Sequence, residues 1–193
     1  MDDHGMARMV DVGGKDSTHR IAMAEAFVRM QPSTLKLLSE GELEKGDALA
    51  VARIAGIAGS KRAAELIPLA HPIPLTHAAV QIYVEPDRGG VRVETRVETV
   101  GVTGVELEAL VAAASAALAI YDMGKAHDRG MVIENIQLVM KSGGRSGIYR
   151  RAERRGETER AKPSAAGKKK VRKKAPKAKK APRAKKTPRA KKG

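Results

Sequence analysis

The sequence predicts an α+β domain, with helices packed on one face of an antiparallel sheet. Three observations carry that expectation. Val80 to Glu85 and Val91 to Val100 are alternating, β-branched runs separated by Pro86, Asp87, Arg88, Gly89 and Gly90, a hairpin signal. Residues 104–129 form a long apolar run with helical spacing. Met131 to Met140, MVIENIQLVM, then reads as a closing strand before a glycine-rich turn at Ser142 to Gly147.

The earlier elements follow in chain order. Ile21 to Met30, IAMAEAFVRM, admits two readings. Its alanines and methionines favour helix, whereas alternation of Ala22, Ala24, Ala26 and Val28 against Met23, Glu25, Phe27 and Arg29 favours a strand. Pro32 ends it either way. Ser33 is placed to cap a short helix through Glu40, closed by Gly41. Asp47 to about Leu66 reads as one helix, buried on most sides at first and amphipathic later. It stops at LIPLAHPIPLTH, residues 66–77, where each proline pushes the residue before it toward extended backbone. With the first segment taken as a strand, the order is β, helices, β, β, α, β. Its natural packing is a ferredoxin-like split βαβ arrangement.

Charge divides the chain in two. Residues 1–150 hold 17 basic and 19 acidic groups, and residues 151–193 hold 20 Lys and Arg against 3 Glu. The first part has the length of one domain. The second contains APKAKK, APRAKK and TPRAKK in succession from residue 175, a proline-punctuated cationic repeat that cannot bury a core and is expected to be a disordered basic tail. Such a tail can bind nucleic acid without sequence preference, so a nucleic-acid-binding protein is the rival functional class. The body argues against it, being nearly neutral and having Phe27, Tyr83, Tyr121 and Tyr149 as the aromatics of the whole chain, few platforms for base stacking. There is no cysteine, which excludes disulfides and thiolate chemistry. The acidic start MDDHGMARMV lacks the features of a secretory signal, and VAAASAALAIY is too short to span a bilayer, so a cytoplasmic protein without membrane association is expected.

Two constellations carry chemistry. On a helical wheel Leu107, Leu110, Val111, Ala114, Leu118 and Tyr121 form one stripe, expected to face the core, and Lys125 continues it at the far end beside Asp122. Asp122 and Lys125, three apart, form either an exposed ion pair or an acid–base group tuned by a cation. At the other end Thr103 and Glu106 have capping-box spacing, which explains Glu106 but leaves Glu108 unexplained. Fourteen residues separate Glu108 from Asp122, ~21 Å along a helix, so one helix cannot put both on the same atom. Either one lies outside the site, or the site joins two subunits.

The second constellation is basic and glycine-rich: Lys15 and Arg20 in VGGKDSTHR, Lys45 before the helix at Asp47, and Lys141 and Arg145 in KSGGRSG. Together they suit a phosphorylated ligand. His71, held between prolines, is either a packing residue or a site residue. The five histidines show no metal-ligand spacing, and no metal site is expected.

MVDVGGKDSTHR, EKGD, ARIAGI, KRAAELIPLAHP, TGVELEAL, AIYDMGKA and MKSGGRSG resemble, in order and spacing, the MoaC family of cyclic pyranopterin monophosphate synthases in molybdenum cofactor biosynthesis. The resemblance covers Met9 to about Gly147 and implies a ferredoxin-like homohexamer, a trimer of dimers with sites at subunit interfaces. It implies a lyase that converts 3′,8-cyclo-7,8-dihydro-GTP to the cyclic pyranopterin with loss of pyrophosphate and without a cofactor. By position, Asp122 resembles the catalytic acid/base and Lys125 its cationic partner. Lys45 and Lys141 resemble pocket lysines, Leu69, Ala70, His71, Leu107 and Glu108 resemble substrate-contacting segments, and Lys15 and Arg20 join the substrate-binding set. Three departures stand out: Ala70 replaces a cysteine common among relatives, Gly13-Gly14 replaces Ser-Ala, and His19 replaces a small apolar residue.

Overall fold

The computed structural model describes residues 5–152. The charged segment from residue 153 on, and with it the expected disordered tail, lies outside the described residues. Five strands form one antiparallel sheet in the order β2-β3-β1-β4-β5. They are β1 (Thr18–Arg29), β2 (His77–Glu85), β3 (Gly90–Gly101), β4 (Val132–Ser142) and the short β5 (Tyr149–Arg150). Helices α1 (Pro32–Glu40), α2 (Ala48–Ser60), α3 (Ala63–Leu66) and α4 (Glu106–Gly124) complete the domain. The α+β class and antiparallel sheet are therefore as the sequence predicts.

The ambiguous first segment is a strand, and at the centre of the sheet. Ala22, Ala24, Ala26 and Val28 are all buried, in line with Val91, Val93, Val97 and Thr95 of the neighbouring β3. Alternation outweighs helix propensity here because burial of one face rewards period two. The opposite face carries Arg92, Glu94, Arg96 and Glu98, interlaced by ion pairs such as Arg92–Glu85 at 2.6 Å and Arg96–Glu98 at 2.8 Å. One face is greasy and small; the other is ionic.

Several boundaries differ from expectation. The helix foreseen from Asp47 to Leu66 breaks at Lys61–Arg62, where the buried Ser60 hydroxyl donates back to the Ile57 carbonyl at 2.8 Å and Arg62 N–H to Gly59 at 3.0 Å. Asp47 caps α2 by accepting from Ala50 N–H at 2.9 Å. For α1 the cap position is Gln31, with Pro32 opening the helix, rather than Ser33. Gly41 ends α1 in the left-handed conformation, φ 73°.

The largest correction concerns α4. The stripe expected in the core is only partly there: Leu118 is 59% exposed and Leu107 38%, while Leu110 and Tyr121 are half-buried at the core's edge. The buried side is Ala109, Ala112, Ala113, Ala116, Ala117 and Ile120. Size, not hydropathy, selects that side, because small residues let α4 lie close to both the sheet and α2. A Cβ on Gly56 of α2 would sit 2.8 Å from Val80 Cγ2 and 3.0 Å from the Ala112 carbonyl, and one on Gly59 would sit 2.8 Å from Ser115 Cβ. The helix also starts at Glu106, with Val105 at the cap position and no side-chain cap, so the Thr103–Glu106 capping box does not form. It ends at Gly124 because His127 and Asp128 N–H groups fold back on the Gly124 carbonyl. By length and composition α4 could cross a bilayer, but half of that apolar window is buried within the domain, as in a core helix.

Candidate functional site

Helix α4 carries one chemical group at each end. At its C-terminal end Asp122 accepts from Lys125 Nζ at 2.8 Å through Oδ1 and from Lys45 Nζ at 2.7 Å through Oδ2. Lys45 also donates to the Asp122 carbonyl at 3.0 Å. The loop that delivers Lys45 turns on Gly41 and on Gly46, φ 92°. Hydrogen bonds from Lys125 and then Lys45 hold the Asp122 carboxyl down at about 2, and the Asp122 carboxylate in turn raises the Lys125 ammonium. The group is open to solvent, with the Asp122 side chain 54% exposed. Sequence reading had not singled out Asp128, which is buried and accepts from Gln31 N–H and Gly130 N–H, both at 2.9 Å. It ties the loop after α4 to the start of α1, and the D-x-G turn pattern was its signal.

The N-terminal end differs in every respect. Glu108 is only 3% exposed and its Oε2 has no hydrogen-bond partner among the described residues. Burial, with a smaller contribution from nearby Glu106, pushes its carboxyl up to about 7. It lines a cavity of about 310 Å³ together with Leu69, Ala70, His71, Leu107 and Lys15, and with Val10, Val12, Ile73, Thr103 and Gly104. The connector bearing His71 is pinned to the sheet: the buried Thr99 hydroxyl donates to the Pro74 carbonyl at 2.7 Å, and Thr76 N–H to Glu98 at 2.9 Å. His71 Nε2 lies 2.9 Å from the Val10 carbonyl.

A second cavity, of about 480 Å³, is lined by Lys15, Asp16, Thr18, Arg20, Gly144, Arg145 and Ser146. The Arg20 guanidinium is fixed by the carbonyls at the end of β3, Nε to Gly101 at 2.8 Å and Nη2 to Val102 at 3.0 Å. Over it folds the turn Gly143–Gly144, both at positive φ, and a Cβ on Gly144 would stand 2.9 Å from Arg20 Cζ. Only glycine permits that approach. Lys141 is nearby, bonded to the Ser146 hydroxyl and 3.5 Å from Glu106.

The sequence-predicted residues thus fall into two groups. Lys15, Arg20, Leu69, Ala70, His71, Leu107, Glu108 and Lys141 gather near the start of α4. Asp122, Lys125 and Lys45 gather at its other end. Within one chain the groups do not meet, being ~21 Å apart along the helix axis. Contributions from Val10, Val12, Thr18 and Ser146 were invisible in sequence, since small or apolar residues carry no chemical signature. Among the described residues no group of three or more His, Asp or Glu could hold a metal ion.

Comparison with known proteins shows the family. Residues 9–144 match the MoaC family. The cyclic pyranopterin monophosphate synthase of Thermomicrobium roseum is 56% identical over 151 residues, 78% of this chain and 91% of the relative. Its namesake from Roseiflexus sp. (strain RS-1) is 58% identical over 149 residues, 77% and 94% of the two chains. That of Geotalea uraniireducens is 49% identical over 154 residues, 80% and 96%. The chain belongs to the MoaC family and is a lyase of molybdenum cofactor biosynthesis.

Proposed function

We propose that the chain converts 3′,8-cyclo-7,8-dihydro-GTP to cyclic pyranopterin monophosphate and pyrophosphate, in sites completed by two copies within a homohexamer, a trimer of dimers. The observation that carries the composite site is the separation of the two charged groups on one rigid helix whose large apolar side chains, Leu107 and Leu118, face out alongside Val51 and Ile54 of α2. An uncovered apolar face of this kind is suited to a second copy.

In this reading the smaller cavity takes the ring system and the larger takes the phosphates, with Lys15 between them. The neighbouring copy brings Asp122, Lys125 and Lys45. Asp122 is the proton-transfer group for ring opening and reclosure. Its carboxylate becomes a competent base as the ligand's phosphates draw its lysines away, since the lysines are what hold its proton affinity low. Closure of the cyclic phosphate joins a ligand hydroxyl oxygen to the α-phosphorus, its proton passing to the Asp122 carboxylate, and breaks the bond from that phosphorus to the bridging oxygen of the β-phosphate. Pyrophosphate leaves with its new negative charge facing Lys15, Arg20, Arg145 and Lys141. The chain works in the cytoplasm on this account, and the tail, with 20 basic residues from 151 to 193, is an appendage that binds nucleic acid through phosphates.

Subunit complementation tests the composite site. Asp122→Asn and Glu108→Ala are each expected to abolish most turnover. Mixed and reassembled, they should recover up to about a quarter of it, because one of the two sites at each mixed interface then pairs an intact Asp122 group with an intact Glu108 cavity. No recovery in verified mixed oligomers would place both groups in separate roles and overturn the shared site.

A further inference from the structure

His71 lines the smaller cavity and also meets the backbone of the stretch before β1. A carbonyl oxygen can only accept, so the ring nitrogen 2.9 Å from the Val10 carbonyl is a donor, and His71 carries its proton on Nε2. Val10 belongs to an irregular stretch that is otherwise poorly anchored: Val10 itself is 65% exposed. Among the described residues three hydrogen bonds fix Val10 to Lys15. Two are internal, Gly13 N–H to Asp11 Oδ1 at 2.9 Å and Lys15 N–H to the Val12 carbonyl at 3.1 Å. The third, from His71, ties the stretch to the rest of the domain.

The two ends of this tie differ in stiffness. His71 stands on a connector restrained by Pro68, Pro72 and Pro74 and stapled through Thr99. Gly13 and Gly14, by contrast, interrupt the stretch directly before Lys15, where glycines leave the backbone its widest freedom. Lys15 is the residue shared by both cavities. After Lys15 the chain is held where β1 begins at Thr18; before it, ahead of the two glycines, the tie to the rest of the domain among the described residues is the His71 ring.

We propose that His71 is a positioning residue for Lys15: its Nε2–H holds the Val10 carbonyl, and the internal turn from Val12 to Lys15 transmits that anchor to the ammonium that meets the ligand's phosphates. This rests on the phosphate reading of the larger cavity. His71 does not line that cavity, which makes the inference sharp. A change at His71 should weaken binding of an anion that His71 never touches.

The probe is inorganic pyrophosphate, titrated calorimetrically against the full chain. Lys15→Ala should weaken its binding roughly tenfold, the usual loss for one hydrogen bond to a charged group. His71→Leu should weaken it by a comparable factor, and adding His71→Leu to Lys15→Ala should cost nothing further. His71→Gln, whose amide can donate to the same carbonyl but cannot carry a ring proton, should bind pyrophosphate far more tightly than the leucine variant. A leucine variant with wild-type affinity beside a weakened Lys15→Ala, or additive losses in the double variant, would overturn the positioning role. If even the wild type ignores pyrophosphate, the phosphate reading is what has failed. Hydrogen exchange then decides the anchor by itself: the amides of residues 11–15 should exchange about fivefold faster in His71→Leu than in wild type or His71→Gln, the effect of one lost hydrogen bond. Unchanged exchange would show that the ring does not hold the stretch.

Discussion

The two ends of α4 hold the same functional group in opposite states. Asp122 is solvent-exposed, met by two ammonium groups and held ionised down to about pH 2. Glu108 is buried, its Oε2 without a hydrogen-bond partner among the described residues, and its carboxyl is pushed up to about 7. Neither state comes from the carboxyl itself. Cations at one end and desolvation at the other set them apart. One helix thereby presents an anion at its tail and a buried acid at its head, each to a neighbouring copy in the assembly proposed above.

The contrast can be broken by removing charge where charge is functional. Asp122→Asn leaves both lysines without their counter-ion but keeps the shape, and turnover should fall by about 10²- to 10⁴-fold, the range for loss of a positioned proton-transfer group. Steady-state assay with the enzymatically made cyclised nucleotide checks it, alongside a sizing column to establish unchanged assembly. A loss below tenfold would remove Asp122 from the reaction.

It can be sharpened by pH at the buried end. In the unfolded chain Glu108 ionises near its ordinary 4.5, whereas in the native state it stays protonated to about 7. Between those values the unfolded state binds fewer protons, so native stability falls as pH rises through this window and levels off above it. The interval corresponds to a loss on the order of 3 kcal/mol. Glu108→Gln cannot ionise, so its stability relative to wild type should climb from pH 4.5 to 7, measured by denaturant midpoints. A flat difference would mean that the carboxyl is paired or hydrated.

The smallest effect is expected beside it. Glu106 meets Lys141 at 3.5 Å with both side chains partly exposed, and Glu106→Gln should cost under about 1 kcal/mol of stability by the same denaturant titration. Two carboxylates two residues apart would then differ by the full range from structural bystander to buried acid.

Much of this was legible in the chain. Alternation in β3, the Pro86–Gly90 turn and Gly41 announced the hairpin and its punctuation, because period and turn chemistry are local properties, whereas β1 stayed open between helix and strand. The separation of Glu108 from Asp122 also follows from counting along a helix. What stayed hidden was the orientation of α4. A wheel ranks faces by hydropathy, and on that scale leucines outrank alanines. The native arrangement ranks them by how closely a partner can approach, which depends on Gly56 and Gly59 of another helix. The failed capping box also depends on the surroundings: Thr103 and Gly104 line the smaller cavity, and the helix begins at Glu106. The carboxyl at 108 could be flagged as unexplained from sequence, but its burial could not.

The seam between α2 and α4 has an evolutionary corollary. Gly56 and Gly59 leave no room for a methyl group opposite Ala112, Ser115 and Ala116, which are themselves close to the minimum size. Enlargement at any one of these positions therefore requires a matching reduction across the seam, and an alanine can shrink only to glycine, a serine only to alanine or glycine. Across relatives these residues should change together or stay fixed, as teeth of two meshed gears must.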